Sequence, residues 1–289
     1  MTRTDNRLGL GTVQFGQDYG ISNRRGRVPH DEVAAILQRA AAAGMRTLDT
    51  AAGYGEAEQV LGALASATRS FRLVTKTIAL KNGLDQVLAR ARQSVTTLAR
   101  RPVDLILVHS AGDLLGSDGS RLWAGLLALR DEGLFGGVGI SAYVADDPLA
   151  LARKFRPAAM QVPLSLLDQR LVQSGALAAL KDLGIEIHAR SLFLQGLLFI
   201  DVSRLPAKLQ SAAPHLAALR RRLQQAGTSP LAAALSYALA QREVDVALVG
   251  VTTLAELAEI LQAKDAPPPD LDWAACALHD PLVLTPSLW

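Results

Sequence analysis

Short runs of Val, Ile and Leu recur along the chain, and each is followed by a longer stretch in which apolar residues return every three or four positions. The runs are Leu8–Thr12, Met45–Asp49, Arg72–Lys76, Asp104–His109, Gly137–Ser141, Ala159–Val162, Ile185–Ala189 and Val246–Gly250. Residues 31–43, 56–66, 84–100, 121–132, 147–155, 173–183, 229–241 and 253–263 carry the helical period. Gly44, Gly133 and Gly184 stand just past three of these stretches, where a left-handed residue closes a helix. Asp146, Asp147 and Pro148 stand where another begins. Strands alternating with helices of about 10–15 residues make βαβ units and a parallel sheet. Eight such units without a break in composition predict one (β/α)8 TIM barrel over residues 1–289. An open doubly wound sheet would carry G-x-G-x-x-G after its first strand, whereas here Gly9-Leu10-Gly11 runs on to Gln14. Two stretches fall outside the repeat. Residues 199–228 form a long seventh connection with a helix expected near 214–225, and 264–289 form a tail that opens on a proline run and is expected over the surface or the barrel mouth.

Composition narrows the picture. A chain of 289 residues that is 49% hydrophobic can bury a large core without covalent staples. Its one cysteine, Cys276, excludes an intramolecular disulfide or a cysteine metal cluster, and the histidines at 30, 109, 188, 215 and 279 lack metal-ligand spacing. No metal is therefore expected. The net charge of +3 is spread thinly, tight basic groups occur only at Arg24, Arg25 and Arg27 and at Arg220–Arg222, and aromatics are 4%, which argues against a nucleic-acid partner. No stretch of about 18 uninterrupted apolar residues is present, so no membrane span is expected. The first twelve residues lack the apolar centre of a signal peptide, which points to the cytoplasm.

In such barrels the reactive groups gather at the C-terminal ends of the strands. Those ends carry Asp49, Lys76, His109, Ser141 and Arg190-Ser191, with Tyr54 just beyond Asp49 and Gln161 on the sixth strand. Each has an ordinary explanation taken singly: Asp49 as a turn or cap, Tyr54 as a loop aromatic, Lys76 as a solvated strand end, His109 as a satisfied core histidine. Together they place acid, phenol, amine and imidazole behind consecutive apolar runs, an unlikely place for charge unless it is paired. His188, flanked by apolar alternation, reads as barrel packing, and residues 219–225 read as a solvated helix face.

The stretches LGLGTVQFG, LDTAAGYGEAEQVLG, LVTKT, DLILVHS, GVGISAY, MQVPLSLLDQR, RSLFLQGLL and VALVGVTTLAELAEIL resemble the aldo/keto reductase superfamily across nearly the whole chain. The resemblance implies reversible hydride transfer between a nicotinamide cofactor and a small-molecule carbonyl or alcohol, a sugar among the candidates. It implies a catalytic tetrad of Asp49, Tyr54, Lys76 and His109. Tyr54 would be general acid and base, Lys76 the cation that favours its phenolate, Asp49 the partner of Lys76, and His109 a neutral donor that orients the substrate oxygen. It also implies a cofactor path over Gly11, Thr12, Asp49, Ser141 and Gln161, then Arg190, Ser191, Phe193, Gln195 and Gly196. The path ends at Gly250, Val251, Thr252, Thr253, Glu256 and Glu259, where backbone N–H groups at a helix N-terminus would meet a phosphate.

Four positions depart from the family pattern. Ala142 replaces an asparagine, Arg190 an aromatic that would stack on the nicotinamide, Glu256 a basic residue of many NADP-dependent members, and Ile260 an asparagine. Arg190 would either support the ring with its planar guanidinium or point to solvent. The family's habit slightly favours NADP(H), and Glu256 keeps NAD(H) open. A monomer or weak homo-oligomer is expected. Two other readings stay open: a non-catalytic barrel that binds the cofactor and regulates a partner, and a lyase or isomerase using Lys76 as a Schiff-base amine.

Overall fold

The computed structural model describes residues 6–289. Its eight strands are β1 (Leu8–Gly11), β2 (Thr47–Asp49), β3 (Arg72–Lys76), β4 (Val103–Val108), β5 (Phe135–Ser141), β6 (Ala159–Pro163), β7 (Glu186–Arg190) and β8 (Val246–Gly250). All pair in parallel and in chain order. β1 meets β8 with Gly11 opposite Gly250, so the sheet closes into a barrel. Each strand lies within three residues of the run that predicts it. This follows from burial on both faces, which demands continuous apolar runs rather than alternation.

Two cores result. Val74, Leu105, Leu107 and Ala159 form a small cluster of their own, apart from the large apolar cluster of strand and helix residues. Gly9 is forced by this packing, since a side chain there would meet Val246 and Leu248 at 2.7 and 2.8 Å. His188 is a packing residue, as its neighbours suggested: it is fully buried, with Nε2 2.9 Å from Glu186 Oε1. Glu186 also accepts a bidentate pair from Arg72 at 2.7 and 3.0 Å. Burial would raise the Glu186 carboxyl, but the hydrogen bonds from His188 and Arg72 outweigh it and hold the group at about 2.

The helices keep their predicted positions with some breaks. The stretch 56–66 divides at Leu64 into Ala57–Ala63 and Ala65–Thr68. The stretch 84–100 stops at Thr97, and 173–183 becomes Arg170–Gln173 and Ala176–Asp182 around Gly175, whose φ of +73° ends the first turn. Pro230–Ala240 and Leu254–Lys264 start on the capping side chains of Ser229 and Thr253. The seventh connection holds the expected helix, Ala213–Gln225, preceded by two 3-10 turns, Val202–Arg204 and Ala207–Ala212, while a third, Leu194–Gly196, lies between β7 and this stretch. Its arginines are not simply solvated: Arg220 donates to the Ile200 carbonyl and Arg222 to that of Ala275.

The tail returns to the barrel. Leu278 N–H donates to the Leu167 carbonyl at 2.8 Å, Trp273 O accepts from Gln169 Nε2 at 2.6 Å, and Pro286 and Ser287 reach the mouth. Among the described residues no helix is long and apolar enough to cross a membrane, and no three His, Cys, Asp or Glu side chains are grouped to hold a metal.

Candidate active site

The mouth holds a cavity of about 1030 Å³, at the upper end of the ~300–1,000 Å³ usual for ligand sites. Behind Asp49 and Tyr54 in its wall, Lys76 is 1% exposed. Its Nζ donates to Asp49 Oδ2 at 2.6 Å, Thr50 O at 3.0 Å and Tyr54 OH at 3.2 Å, so all three ammonium protons are used. The other Asp49 oxygen accepts from Gln161 Nε2 at 2.7 Å. Burial alone would lower the Lys76 pKa, but the Asp49 carboxylate and the neighbouring Tyr54 oxygen reverse this and hold it above the ordinary lysine value. The ammonium therefore stays charged in a dry place.

His109 stands edge-on to Tyr54, with ring centroids 5.7 Å apart at 79°. Burial, and then the Lys76 charge, push its pKa down to about 4, so the imidazole is neutral near pH 7. Asp49, Tyr54, Lys76 and His109 are thus brought together from the ends of β2, β3 and β4 and the loop between β2 and β3.

That loop is held from several sides. Thr50 N–H donates to Val74 O at 2.8 Å and Ala52 N–H to Lys76 O at 3.1 Å. A short helix that the periodicity does not announce, Val13–Gly16, lies against it, and Glu56 N–H donates to Gly16 O at 3.3 Å. Any side chain at Gly16 would run into the Tyr54 carbonyl. Behind the loop, buried Glu58 accepts from Thr75 Oγ1 at 2.6 Å, Arg90 Nη2 at 2.6 Å and Ser94 Oγ at 3.1 Å, while Arg90 also donates to Ala52 O at 3.3 Å. The sequence reading passed over Glu58; an acid on an otherwise apolar helix face is the signal that could have marked it.

Gly11, Ser141, Gln161, Arg190 and Ser191 line the cavity, as do Phe193, Gln195 and Gly196 from the seventh connection. Gly250, Val251, Thr252, Glu256 and Glu259 line its far end. Two expected cofactor residues, Thr12 and Thr253, are not part of the cavity lining. Thr12 is fully buried and turns back, with its N–H and Oγ1 both donating to Asp49 O at 2.9 and 3.0 Å. Thr253 caps the helix Leu254–Lys264 by accepting from Glu256 N–H at 3.0 Å.

The last βα turn also differs from expectation. Glu256 Oε2 accepts from Thr252 N–H at 2.5 Å and from Thr252 Oγ1 at 3.0 Å, and Leu254 N–H donates to Glu32 Oε1 at 3.2 Å. Two donors near this helix start are therefore held by carboxylates.

Several wall residues escaped the sequence reading because loops carry them to the mouth. Gln14 lies against Gly250, where an added side chain would meet its amide at 2.9 Å, and Gln14 Oε1 is buried with no partner. Tyr143 lies under Arg190, and Tyr19 is raised to about 12 by burial and by Tyr54 and Tyr143 beside it. A long cavity with glycine at Gly11 and Gly250 and an unpartnered amide oxygen beside them fits an extended dinucleotide. Its catalytic end would then lie by Tyr54.

The family model "Aldo/keto reductase family" matches residues 7–280. An aldo-keto reductase of Mycolicibacterium smegmatis is 30% identical over 153 residues, covering 50% of this chain and 53% of that protein. The chain thus spans about half the length of the first curated relatives it matches. The L-galactose dehydrogenase of Arabidopsis thaliana is 25% identical over 274 residues, covering 89% of this chain and 83% of that protein. Among solved structures, an aldo-keto reductase of Bacillus halodurans in its holo form shares the fold, with a TM-score of 0.70, 21% identity, and coverage of 91% of this chain and 87% of that one.

Proposed function

The chain belongs to the aldo/keto reductase family, and from that premise we propose that it is an NAD(P)-dependent oxidoreductase interconverting a carbonyl and an alcohol, with Tyr54 exchanging the proton. The observation that carries this reading is the 3.2 Å contact between a buried, charged Lys76 and the Tyr54 hydroxyl. The nicotinamide, when bound, supplies or accepts the hydride.

The side chains do the rest. A carbonyl that gains hydride develops negative charge on oxygen, and a donor at that oxygen stabilises it. Tyr54 gives its proton there, and Lys76 favours the phenolate left behind, because a nearby opposite charge stabilises the ionised form. Asp49 fixes the direction of Lys76, and Gln161 fixes Asp49. His109, neutral and edge-on to the phenol, donates to the same substrate oxygen and so orients it. Gly11, Gly250 and Gln14 would run along the dinucleotide, with Ser141 at its nicotinamide end.

A Schiff-base role for Lys76 finds no support in this arrangement, since it needs an uncharged, reachable amine. The relative that acts on L-galactose, by its name, fits a polar sugar carbonyl or alcohol as the kind of substrate here.

The Glu256 contact turns our reading of the cofactor to NAD(H), against the family's lean toward NADP(H). A carboxylate already bonded to Thr252 repels a 2′-phosphate but accepts from a 2′-hydroxyl. Consumption of reduced cofactor with a panel of aldoses, keto-sugars and simple aldehydes tests the activity, and fluorescence titration tests the cofactor. We expect turnover, and a Kd for NADH about tenfold or more below that for NADPH, which is ~1.4 kcal/mol. The gap should narrow in Glu256→Gln. No turnover with any carbonyl would overturn the activity, and equal or reversed affinities would overturn the cofactor assignment.

A further inference from the structure

Arg190 is the last residue of β7 and part of the cavity wall, where an aromatic was expected. Its guanidinium lies on the Tyr143 ring, with Cζ 4.1 Å from the centroid. That face-on packing orients the planar fork. The fork is poorly used. Nη1 donates to Ser191 Oγ and Nη2 to Ala142 O, both at 3.3 Å, and Nε is buried with no partner.

No carboxylate among the described residues lies within ion-pair distance of it, whereas Arg72, Arg90 and Arg170 each hold one. Two acids of the cavity wall are engaged by other groups. Asp49 serves Lys76 and Gln161, and Asp146 Oδ2 accepts from Tyr143 N–H at 2.7 Å. Lys76 is balanced by Asp49, and His109 is neutral. Of the other cations lining the cavity, Arg25 pairs with Glu32, which leaves Arg24 and Arg190 without a carboxylate partner among the described residues. Of these only Arg190 stands at a strand end. A half-buried charge without a counterion is costly, so a ligand anion is the natural partner.

Resting on the oxidoreductase reading above, we propose that the substrate carries a carboxylate near its reacting carbonyl or alcohol, and that Arg190 is the specificity-determining residue that binds it. A planar guanidinium matches a carboxylate through two parallel N–H···O bonds. Its place at the end of β7, bonded to the residue that follows β5, puts it on the side of the mouth that holds Ser141 and Gln161. The turn after β8, where the family resemblance would place a phosphate, follows the strand next to β7, so the cofactor's own affinity has to be read beside the substrate preference.

The test compares matched pairs, succinic semialdehyde against butanal and 2-oxobutanoate against butanone, in the wild type and in Arg190→Gln. The wild type should prefer the anionic member by kcat/KM, and Arg190→Gln should shrink that ratio by roughly tenfold or more, the factor expected for a charge-assisted hydrogen bond. An unchanged ratio overturns the proposal. So does an unchanged ratio with a tenfold weaker Kd for NADH, which would assign the cation to the dinucleotide's own phosphates.

A second arm needs no turnover. Isothermal titration of the cofactor-free protein with succinate should show binding that Arg190→Gln loses, and absence of binding to the wild type counts against the proposal. If no carbonyl is turned over but succinate binding depends on Arg190, the anion site stands and only the redox reading falls.

Discussion

Lys76 shows how much of the site depends on one buried charge. Its three protons go to Asp49, Thr50 and Tyr54, and the Asp49 carboxylate is the largest of the influences that offset the penalty of burial. Replacing Asp49 by Asn removes that balance, and burial then pulls the Lys76 pKa down. We expect Asp49→Asn to lose about 10²-fold or more in kcat and to gain a limb at alkaline pH as the lysine loses its proton, a limb absent from the wild type over the same range. A variant with the wild-type profile would separate Asp49 from Lys76 ionisation.

Asp49, Lys76 and His109 drew notice because each stands where an apolar strand run ends, and burial of a polar group there needs a reason; Tyr54, in the loop beyond Asp49, joined them through the family resemblance. The hydroxyls of Thr12 and Thr253 are engaged within the protein, by the Asp49 carbonyl and the Glu256 N–H, an engagement that no local spacing records. Gln14, Tyr19 and Tyr143 gave no signal. Their place in the wall depends on how the loops fold over the mouth, and no local spacing records that.

At the level of elements, strands were easier to read than helices. A strand buried on both faces must be continuously apolar, whereas a helix broken at Leu64 or Gly175 keeps its period through the break. The short helix Val13–Gly16 is too brief to show a period at all, yet it sets the Tyr54 loop. Gly16→Ala should therefore displace that loop: we predict a fall in kcat of about tenfold or more with the fold retained, checked by steady-state rates beside circular dichroism. Wild-type kcat would mean that the loop has another support.

At the opposite end of the barrel, Arg72, Glu186 and His188 tie β3 to β7. The Glu186 carboxyl is lower in the folded protein than its ordinary value of 4.5, at about 2. Its contribution to stability is thus present above about pH 4.5 and is lost as the pH falls toward 2. Urea unfolding should find Glu186→Gln less stable by about 1–3 kcal/mol at pH 7, with the difference shrinking by pH 3. A pH-independent difference would point to packing alone.

For the whole molecule, closure of the sheet matters more than any single contact. Pairing Gly11 of β1 with Gly250 of β8 brings the first and last βα turns together, and with them Gln14 and Glu256, which are far apart in the chain. The same closure sets both groups on one mouth, with only β1 between the strands that carry them: a proton-transfer group around Tyr54 and an acidic turn around Glu256. The repeat of eight units made the barrel readable from the sequence, but the charge balance around the mouth was not, because it depends on which carboxylates are already engaged.

The central claim is that the Tyr54 hydroxyl, poised by Lys76, is the proton source for the transferred hydride's product. It is tested most directly by single-turnover reduction of an accepted carbonyl by NADH in Tyr54→Phe. We predict a rate about 10²–10⁴-fold below the wild type with the Kd for NADH within a few-fold. A rate equal to that of the wild type would contradict the account.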